Sequence, residues 1–141
     1  GLEACELWLR PGRDIGQSAV VRSGFGSVRW ILTPPLQNPR RMMRVLRQFD
    51  RRRAELMTVP HWYLMALGVE PAHQGEGFGS ALVRAGALRA DRDRVPTYLE
   101  TESDLNVRFY ERLGFSVLDE MEVAELGLRF ALMLREPDTG R

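Results

Sequence analysis

The chain has one cysteine, no long apolar run and almost no net charge, and each shortage excludes a class of protein. Cys5 is the only cysteine among 141 residues, which excludes an internal disulfide and argues against a cysteine-based metal site. No apolar stretch approaches the roughly 18 residues of a membrane-spanning helix. No signal peptide opens the sequence. We therefore expect a cytoplasmic protein without a membrane partner.

The charged side chains nearly balance, since 20 basic and 19 acidic residues leave a formal net charge of +1. Seven arginines nevertheless fall within one predicted helix over residues 39–56. Such a cluster could bind nucleic acid or a phosphorylated partner, or it could be a solvated face paired in part with Asp50 and Glu55. The low net charge favours the solvated face and predicts no nucleic-acid partner. His61 and His73 lack acidic partners at metal-ligand spacing, so we expect no metal.

The hydrophobic pattern predicts one mixed α/β domain over residues 1–137, followed by a polar tail over 138–141. Strands are predicted over 4–9, 62–69, 97–101, 116–123 and 128–134, and helices over 39–56, 77–92 and 104–113. Residues 12–39 are irregular, and Gly24 and Gly26 weaken a helix over Ser18–Leu32. A strand–helix–strand–helix order followed by two strands predicts a mixed sheet with helices packed on it.

A glycine-rich turn lies between the strand over 62–69 and the helix over 77–92. It reads QGEGFGS at residues 74–80, and the helix after it places one apolar set at helical spacing, namely Phe78, Ala81, Leu82, Ala85 and Leu88. Backbone N–H groups at the positive end of a helix dipole bind phosphate. The turn lacks the lysine of a P-loop before Ser80. The third glycine of a dinucleotide fingerprint is also missing, since Ser80 or Leu82 stands there.

Two motifs resemble those of the GNAT superfamily of acyl-CoA-dependent N-acyltransferases. Gln74, Gly77 and Gly79 fit its pyrophosphate motif, Gln/Arg-x-x-Gly-x-Gly/Ala, and residues 106–115 resemble its Asn-x-x-x-Tyr-x-x-x-Gly-Phe helix. Asn106 and Tyr110 share one face of that helix. We expect the adjoining apolar stripe to pack on the sheet, namely Leu105, Phe109 and Leu113. Residues 60–137 further resemble the branch that contains puromycin N-acetyltransferase.

The resemblance implies the superfamily's fold, a central twisted mixed sheet flanked by helices. That fold begins with a strand, two helices and another strand, whereas this chain starts at about the third strand. We expect an incomplete chain rather than a truncated fold, because losing those elements would expose a sheet edge.

The same resemblance implies a binding site for acetyl-CoA, the co-substrate. Backbone groups of Leu67, Gly68 and Val69 would pair with the pantetheine arm, beside a bulge that separates this strand from its neighbour. The pyrophosphate would lie on the backbone N–H groups of Gln74, Gly75, Glu76, Gly77, Phe78, Gly79 and Ser80. Asn106 would hydrogen-bond the pantetheine arm, and Tyr110 would protonate the departing thiolate.

The general base is less clearly specified, because the strand positions at which many relatives carry a carboxylate hold Tyr63, Leu64, Met65 and Ala66 here. Glu100 at the end of the neighbouring strand is the candidate, Glu102 is a weaker one, and an amine that arrives neutral needs no base. The implied function is acetyl transfer from acetyl-CoA to a primary amine of a small molecule by direct attack. Acetylation of a protein lysine or N-terminus, a non-catalytic acyl-CoA-binding regulatory module, and a homodimer stay open.

Overall fold

The computed structural model describes residues 2–13 and 38–140. The strands are β1 (Ala4–Leu9), β2 (Trp62–Val69), β3 (Thr97–Thr101), β4 (Ser116–Val123) and β5 (Leu128–Arg135). The helices are α1 (Pro39–Leu56), α2 (Phe78–Asp93) and α3 (Asp104–Glu111). Each predicted element is present, with bounds within two residues of those expected. The helix considered over Ser18–Leu32 lies outside the described residues.

The five strands form one mixed sheet in the order β1-β2-β3-β5-β4. Among the described strands only β2 and β3 pair in parallel, and α2 makes the connection between them, as parallel neighbours require. The other neighbouring pairs are antiparallel. This arrangement confirms the predicted mixed sheet and places the glycine-rich turn between its two parallel strands.

Helices cover both faces of the sheet, and alternate side chains of each strand point to opposite faces. Leu64 of β2 and Leu99 of β3 point to the face that packs against Val83 of α2 and Tyr110 of α3. We call this the α2–α3 face. On the opposite face, the α1 face, Tyr98 packs with Leu132, Met57 and their neighbours. Helix α1 also covers β4 and β5 there, through contacts of Val45 with Val123 and Phe130.

Several arginines of α1 lie beside acidic partners on the outer surface. Arg52 pairs with Glu55 and Asp119, Arg51 pairs with Glu55, and the Arg41 guanidinium donates to the backbone carbonyl of Glu125 at 2.8 Å. Asn38 caps the helix by accepting a hydrogen bond from the Arg40 N–H at 3.0 Å. These contacts favour the interpretation of the arginine cluster as a solvated face.

The apolar set at helical spacing is not the buried side of α2. Of Phe78, Ala81, Leu82, Ala85 and Leu88, Phe78 is 38% exposed and Leu88 is 57% exposed. Gly79, Val83, Gly86, Ala87 and Ala90 are buried instead. Their small size lets the helix lie close to β1, since a Cβ on Gly86 would stand 2.1 Å from the Trp8 ring. The large ring of Trp8 takes the space that the larger apolar side chains of α2 would fill.

The predicted apolar stripe of α3 is partly wrong. Leu105 is 74% exposed, whereas Phe109 and Leu113 pack against the core as expected. Tyr110 is buried in that core, and Val107 packs against it. The Ser103 hydroxyl accepts a hydrogen bond from the Asn106 N–H at 3.2 Å, and this cap fixes where the helix begins. From that start Val107 and Tyr110, three residues apart, face the sheet.

Candidate functional site

Strands β2 and β3 are joined at one end and separate at the other. They pair only through Trp62 with Thr97, Tyr63 with Tyr98, and Leu64 with Leu99. Beyond Leu64, β2 pairs with β1 up to Val69, and β3 pairs with β5 up to Thr101. We call the gap between residues 65–69 of β2 and residues 100–101 of β3 the splay opening.

A β-bulge accounts for the separation of the two strands. Trp8 pairs with Leu64, but Leu7 pairs with Ala66, so Met65 is an extra residue on β2. An extra residue bends its strand and increases the local twist. Past the bulge, in the described part of the chain, the edge of β2 that faces β3 has no strand partner. Leu67, Gly68 and Val69 lie on this edge, where an extended ligand with amide groups could add as a strand.

The glycine-rich turn continues directly from this edge. After β2 comes a single 3-10 turn over Pro71–His73, and then Gly75 and Gly77 adopt φ values of +86° and +90°. Gly77 is the N-terminal cap of α2, and no side chain of residues 2–13 or 38–140 caps the N–H groups that follow. Within the described residues, a Cβ at Gly75 or Gly77 would meet no atom within 4 Å, so both glycines border open space in this part of the structure. The turn can therefore accept an anion against backbone N–H groups.

Side chains of the turn contact one another and the end of β2. The Gln74 amide donates to the Val69 carbonyl at 3.4 Å, which ties the turn to the end of β2. The Glu76 carboxylate lies 3.1 Å from His73 Nδ1, and the His73 ring makes an edge contact with Phe78. Ser80 follows Gly79 in the first turn of α2 and is half-buried.

Gly79 brings the three parts of the site together. A Cβ at this position would lie 3.4 Å from Val69 Cγ2, 3.5 Å from the Phe109 ring and 3.7 Å from Leu67 Cδ2. The first turn of α2 thus packs directly on the end of β2 and on α3. The glycine-rich turn, the splay opening and α3 therefore form one continuous region.

Tyr110 is buried on the α2–α3 face, next to the strands that separate. Its ring packs edge-on against Phe109 and Phe115, with ring centroids 5.0 and 5.7 Å away. Burial raises the pKa of the Tyr110 phenol to about 12, and the negative charge of Glu102 adds to the increase. The phenol is therefore protonated near neutral pH. Asn106 lies one turn earlier on α3 and is half-buried.

Glu100 lies on the α1 face at the far end of β3. It is paired across the sheet with Leu132, and its Oε1 atom is fully buried without a hydrogen-bond partner among the described residues. Burial raises the pKa of Glu100 to about 7, while the phenols of Tyr63 and Tyr98 and the charge of Arg53 lower it. Asp50 raises it further. The carboxyl thus gains and loses its proton near neutral pH, as a general base must.

The two candidate proton-transfer groups lie on opposite faces of the sheet, beside neighbouring positions of β3. Tyr110 packs in the cluster that contains Leu99, and Glu100 is the next residue of β3. Glu102, the weaker candidate base, is exposed just beyond β3. The motifs did not indicate Arg53, Tyr63 or Tyr98, which surround Glu100. The only sequence signal for them is the alternation of Tyr98 and Glu100 along β3.

Neither a metal site nor a membrane span is found in the described part of the chain. Within residues 2–13 and 38–140, no group of three His, Cys, Asp or Glu side chains could hold a metal ion. No helix in these ranges is long and apolar enough to cross a bilayer. The cytoplasmic location stays a prediction.

Comparisons with known proteins agree with this geometry. The family model described as the acetyltransferase (GNAT) family matches residues 38–115, which include β2, the glycine-rich turn and α3. An uncharacterised N-acetyltransferase of Schizosaccharomyces pombe is 27% identical over 94% of this chain and 56% of its own length. A mycothiol acetyltransferase of Propionibacterium freudenreichii is 34% identical over 58% of this chain and 26% of its own length.

One solved structure resembles the whole described fold. It is a crystal structure from Corynebacterium glutamicum described as histone acetyltransferase HPA2 and related acetyltransferase. Its TM-score is 0.59 at 26% identity, over 97% of this chain and 59% of that one. This chain thus spans little more than half of that protein and of the S. pombe relative.

Proposed function

The chain belongs to the GNAT acetyltransferase family, and on that premise we propose that it moves an acetyl group from acetyl-CoA to a primary amine of a small molecule. The observation that carries the proposal is the continuity of the splay opening with the glycine-rich turn and with Tyr110. A thioester on an extended pantetheine arm and a pyrophosphate need these two features side by side.

In the proposed complex, acetyl-CoA lies along the edge of β2 that faces the splay opening. Backbone groups of Leu67, Gly68 and Val69 pair with the amides of the pantetheine arm, and Asn106 hydrogen-bonds the arm from α3. The pyrophosphate accepts hydrogen bonds from the backbone N–H groups of residues 74–80, at the N-terminus of α2. This arrangement directs the thioester toward the point where β2 and β3 separate, between Glu100 and Tyr110.

The proposed reaction is direct attack of the amine on the thioester carbonyl. A C–N bond forms while the C–S bond breaks, and a backbone N–H of β2 stabilises the negative charge that develops on the carbonyl oxygen. Glu100 accepts the proton that the amine loses. Tyr110 donates a proton to the departing thiolate, so the products are an acetamide and free CoA. Each positioned proton transfer is typically worth about 10²–10⁴-fold in rate.

A small-molecule acceptor is the first choice because the mycothiol acetyltransferase relative is named for a small molecule. The C. glutamicum structure, described as a histone acetyltransferase and relative, keeps a protein acceptor as the second candidate. The buried position of Glu100 favours a narrow acceptor over a broad peptide surface. A panel of small amines and of lysine and N-terminal peptides, assayed with acetyl-CoA for release of free thiol, tests the assignment. Acetyl-CoA binding with no turnover on any acceptor would favour the regulatory module.

Substituting Gly77 with alanine is expected to weaken acetyl-CoA binding by about tenfold or more. The residue has a φ of +90° and borders open space, so a Cβ would strain the turn and project into the proposed pyrophosphate cradle. Isothermal titration calorimetry with acetyl-CoA measures the change in Kd. The matched control is Gly127→Ala, which changes a glycine at φ +63° in the turn between β4 and β5. Both variants should lose about 1–2 kcal/mol of stability, but only Gly77→Ala should lose affinity. Equal Kd values for the two variants would contradict the cradle.

A further inference from the structure

A polar cluster on the α1 face surrounds the proposed base, and its members come from three different elements. Tyr63 of β2 pairs directly with Tyr98 of β3, and their ring centroids are 5.8 Å apart. Glu100 points to the same face as Tyr98, because it follows two residues later on the strand. Arg53 of α1 lies over the Tyr63 ring, with its guanidinium carbon 4.3 Å from the ring centroid.

The burial of this cluster is unusual for side chains of this kind. The Arg53 side chain is only 13% exposed, and its Nη2 atom pairs with the Asp50 carboxylate at 3.3 Å, as expected for an arginine, which is seldom buried unless it is paired. Glu100 Oε1 and Tyr98 Oη are fully buried, and neither has a hydrogen-bond partner of normal geometry in the described residues. Leu132 and Met57 make the nearby surface apolar. Leaving a carboxylate charged in such surroundings is costly unless a positive charge lies near it.

We propose that Arg53 is a positioning residue for the base: stacked on Tyr63 in the same buried cluster as Glu100, it supplies a positive charge to that cluster and links α1 to the site. The inference rests on the proposed function, since it takes Glu100 as the base. Arg53 itself touches no reacting atom in the proposed mechanism. It acts by its charge and by holding the Tyr63 ring against the cluster.

The charged and titratable groups around Glu100 decide the direction of the effect. From α1, Arg53 lowers the pKa of Glu100 and Asp50 raises it, while Arg52 acts on the neighbouring Tyr98. From the strands, the phenols of Tyr63 and Tyr98 lower the pKa of Glu100. On β5 the residues paired with Tyr98 and Glu100 are Leu134 and Leu132, which carry no charge. Burial raises the pKa of both phenols, so they stay neutral. Removing Arg53 therefore leaves burial and Asp50 to raise the pKa of Glu100.

The direct test is a carbon-13 NMR titration of the Glu100 carboxyl in the full chain, without acetyl-CoA or amine. The Glu100 signal is assigned as the one that is lost in Glu100→Gln. In Arg53→Gln its midpoint should move upward by about one pH unit or more, the effect typical of losing an adjacent opposite charge. Arg53→Lys, which keeps the charge, should stay near the parent. The control is Arg51→Gln, because Arg51 lies on the same helix with its side chain 84% exposed. It should leave the midpoint unchanged.

Kinetics provide a second readout on any amine that the panel identifies. Arg53→Gln should lower turnover about fivefold at pH 7 and recover it at higher pH, with the KM for acetyl-CoA unchanged. Should Arg53→Gln fail to fold, Arg53→Met keeps the apolar stem against Tyr63 and gives the same measurements. An unchanged carboxyl midpoint, or a loss of turnover equal at all pH values, would overturn the role of Arg53. Neither result would touch the acetyl transfer itself, which fails only if no acceptor is acetylated.

Discussion

Turnover is expected to fall by about 10²–10⁴-fold when Tyr110 is replaced by phenylalanine, while the affinity for acetyl-CoA stays close to that of the parent. The ring would keep its packing against Phe109 and Phe115, so the fold and the splay opening should be preserved. Only the phenolic O–H is lost, and with it the proton for the departing thiolate. Steady-state release of free thiol gives turnover, and calorimetry gives the affinity.

A second tyrosine serves as the comparison for this variant. In Tyr98→Phe a buried phenol is removed from the α1 face, where it lowers the pKa of Glu100. Its loss of turnover should therefore shrink as the pH rises, whereas the loss in Tyr110→Phe should persist at every pH near neutrality. Parental turnover in Tyr110→Phe would remove Tyr110 from the mechanism, whatever Tyr98→Phe does.

Replacing Glu100 with glutamine is the second substitution with a large expected effect. In the parent, the rate should fall as the pH drops through about 7, because burial raises the pKa of the Glu100 carboxyl to about 7 and the base must be ionised. In Glu100→Gln this pH dependence should disappear. Turnover should be at least about 10²-fold lower than that of the parent. The profile is recorded on one amine, so that the titration of the acceptor is the same in both proteins.

The same substitution should lower turnover but raise the stability of the fold above pH 7. Because the folded-state pKa of Glu100 is above its ordinary value of 4.5, this group stabilises the fold less as the pH rises from about 4.5 to 7. Glu100→Gln should abolish that contribution and unfold at a higher temperature than the parent above pH 7. Glu102→Gln is the matched control for the unfolding temperature, since Glu102 is exposed.

If the pH–rate profile of Glu100→Gln keeps its dependence near pH 7, the amine itself or another group titrates there.

Local patterns predicted most of the fold, because strand alternation, caps and glycine stops lie within short stretches of sequence. The bounds of β2, α2, β3 and α3 follow from such signals, and so does the glycine-rich turn. The side of α2 that is buried does not follow from them. The helix offers two apolar sides, and the choice between them depends on Trp8 of β1, whose ring fits only against Gly86. For α3, the exposure of Leu105 likewise depends on which side of the helix packs on the sheet.

The site was predictable where it consists of motifs and unpredictable where it consists of neighbours brought together by the fold. The GNAT family is confirmed by the match over residues 38–115, while the resemblance to the puromycin N-acetyltransferase branch and a homodimer stay predictions. Tyr63, Tyr98 and Arg53 could not be assigned to Glu100 from the sequence. Their proximity needs the parallel register of β2 and β3 and the packing of α1 on the opposite face, and both are non-local.

The most direct measurement for the central claim is an isothermal titration of the chain with acetyl-CoA. If the splay opening and the glycine-rich turn form one acyl-CoA site, acetyl-CoA should bind saturably with one molecule per chain. Free CoA should compete for the same site, because it carries the same pantetheine arm and pyrophosphate. If a chain that unfolds cooperatively gives no binding heat at millimolar acetyl-CoA, that result would contradict the account.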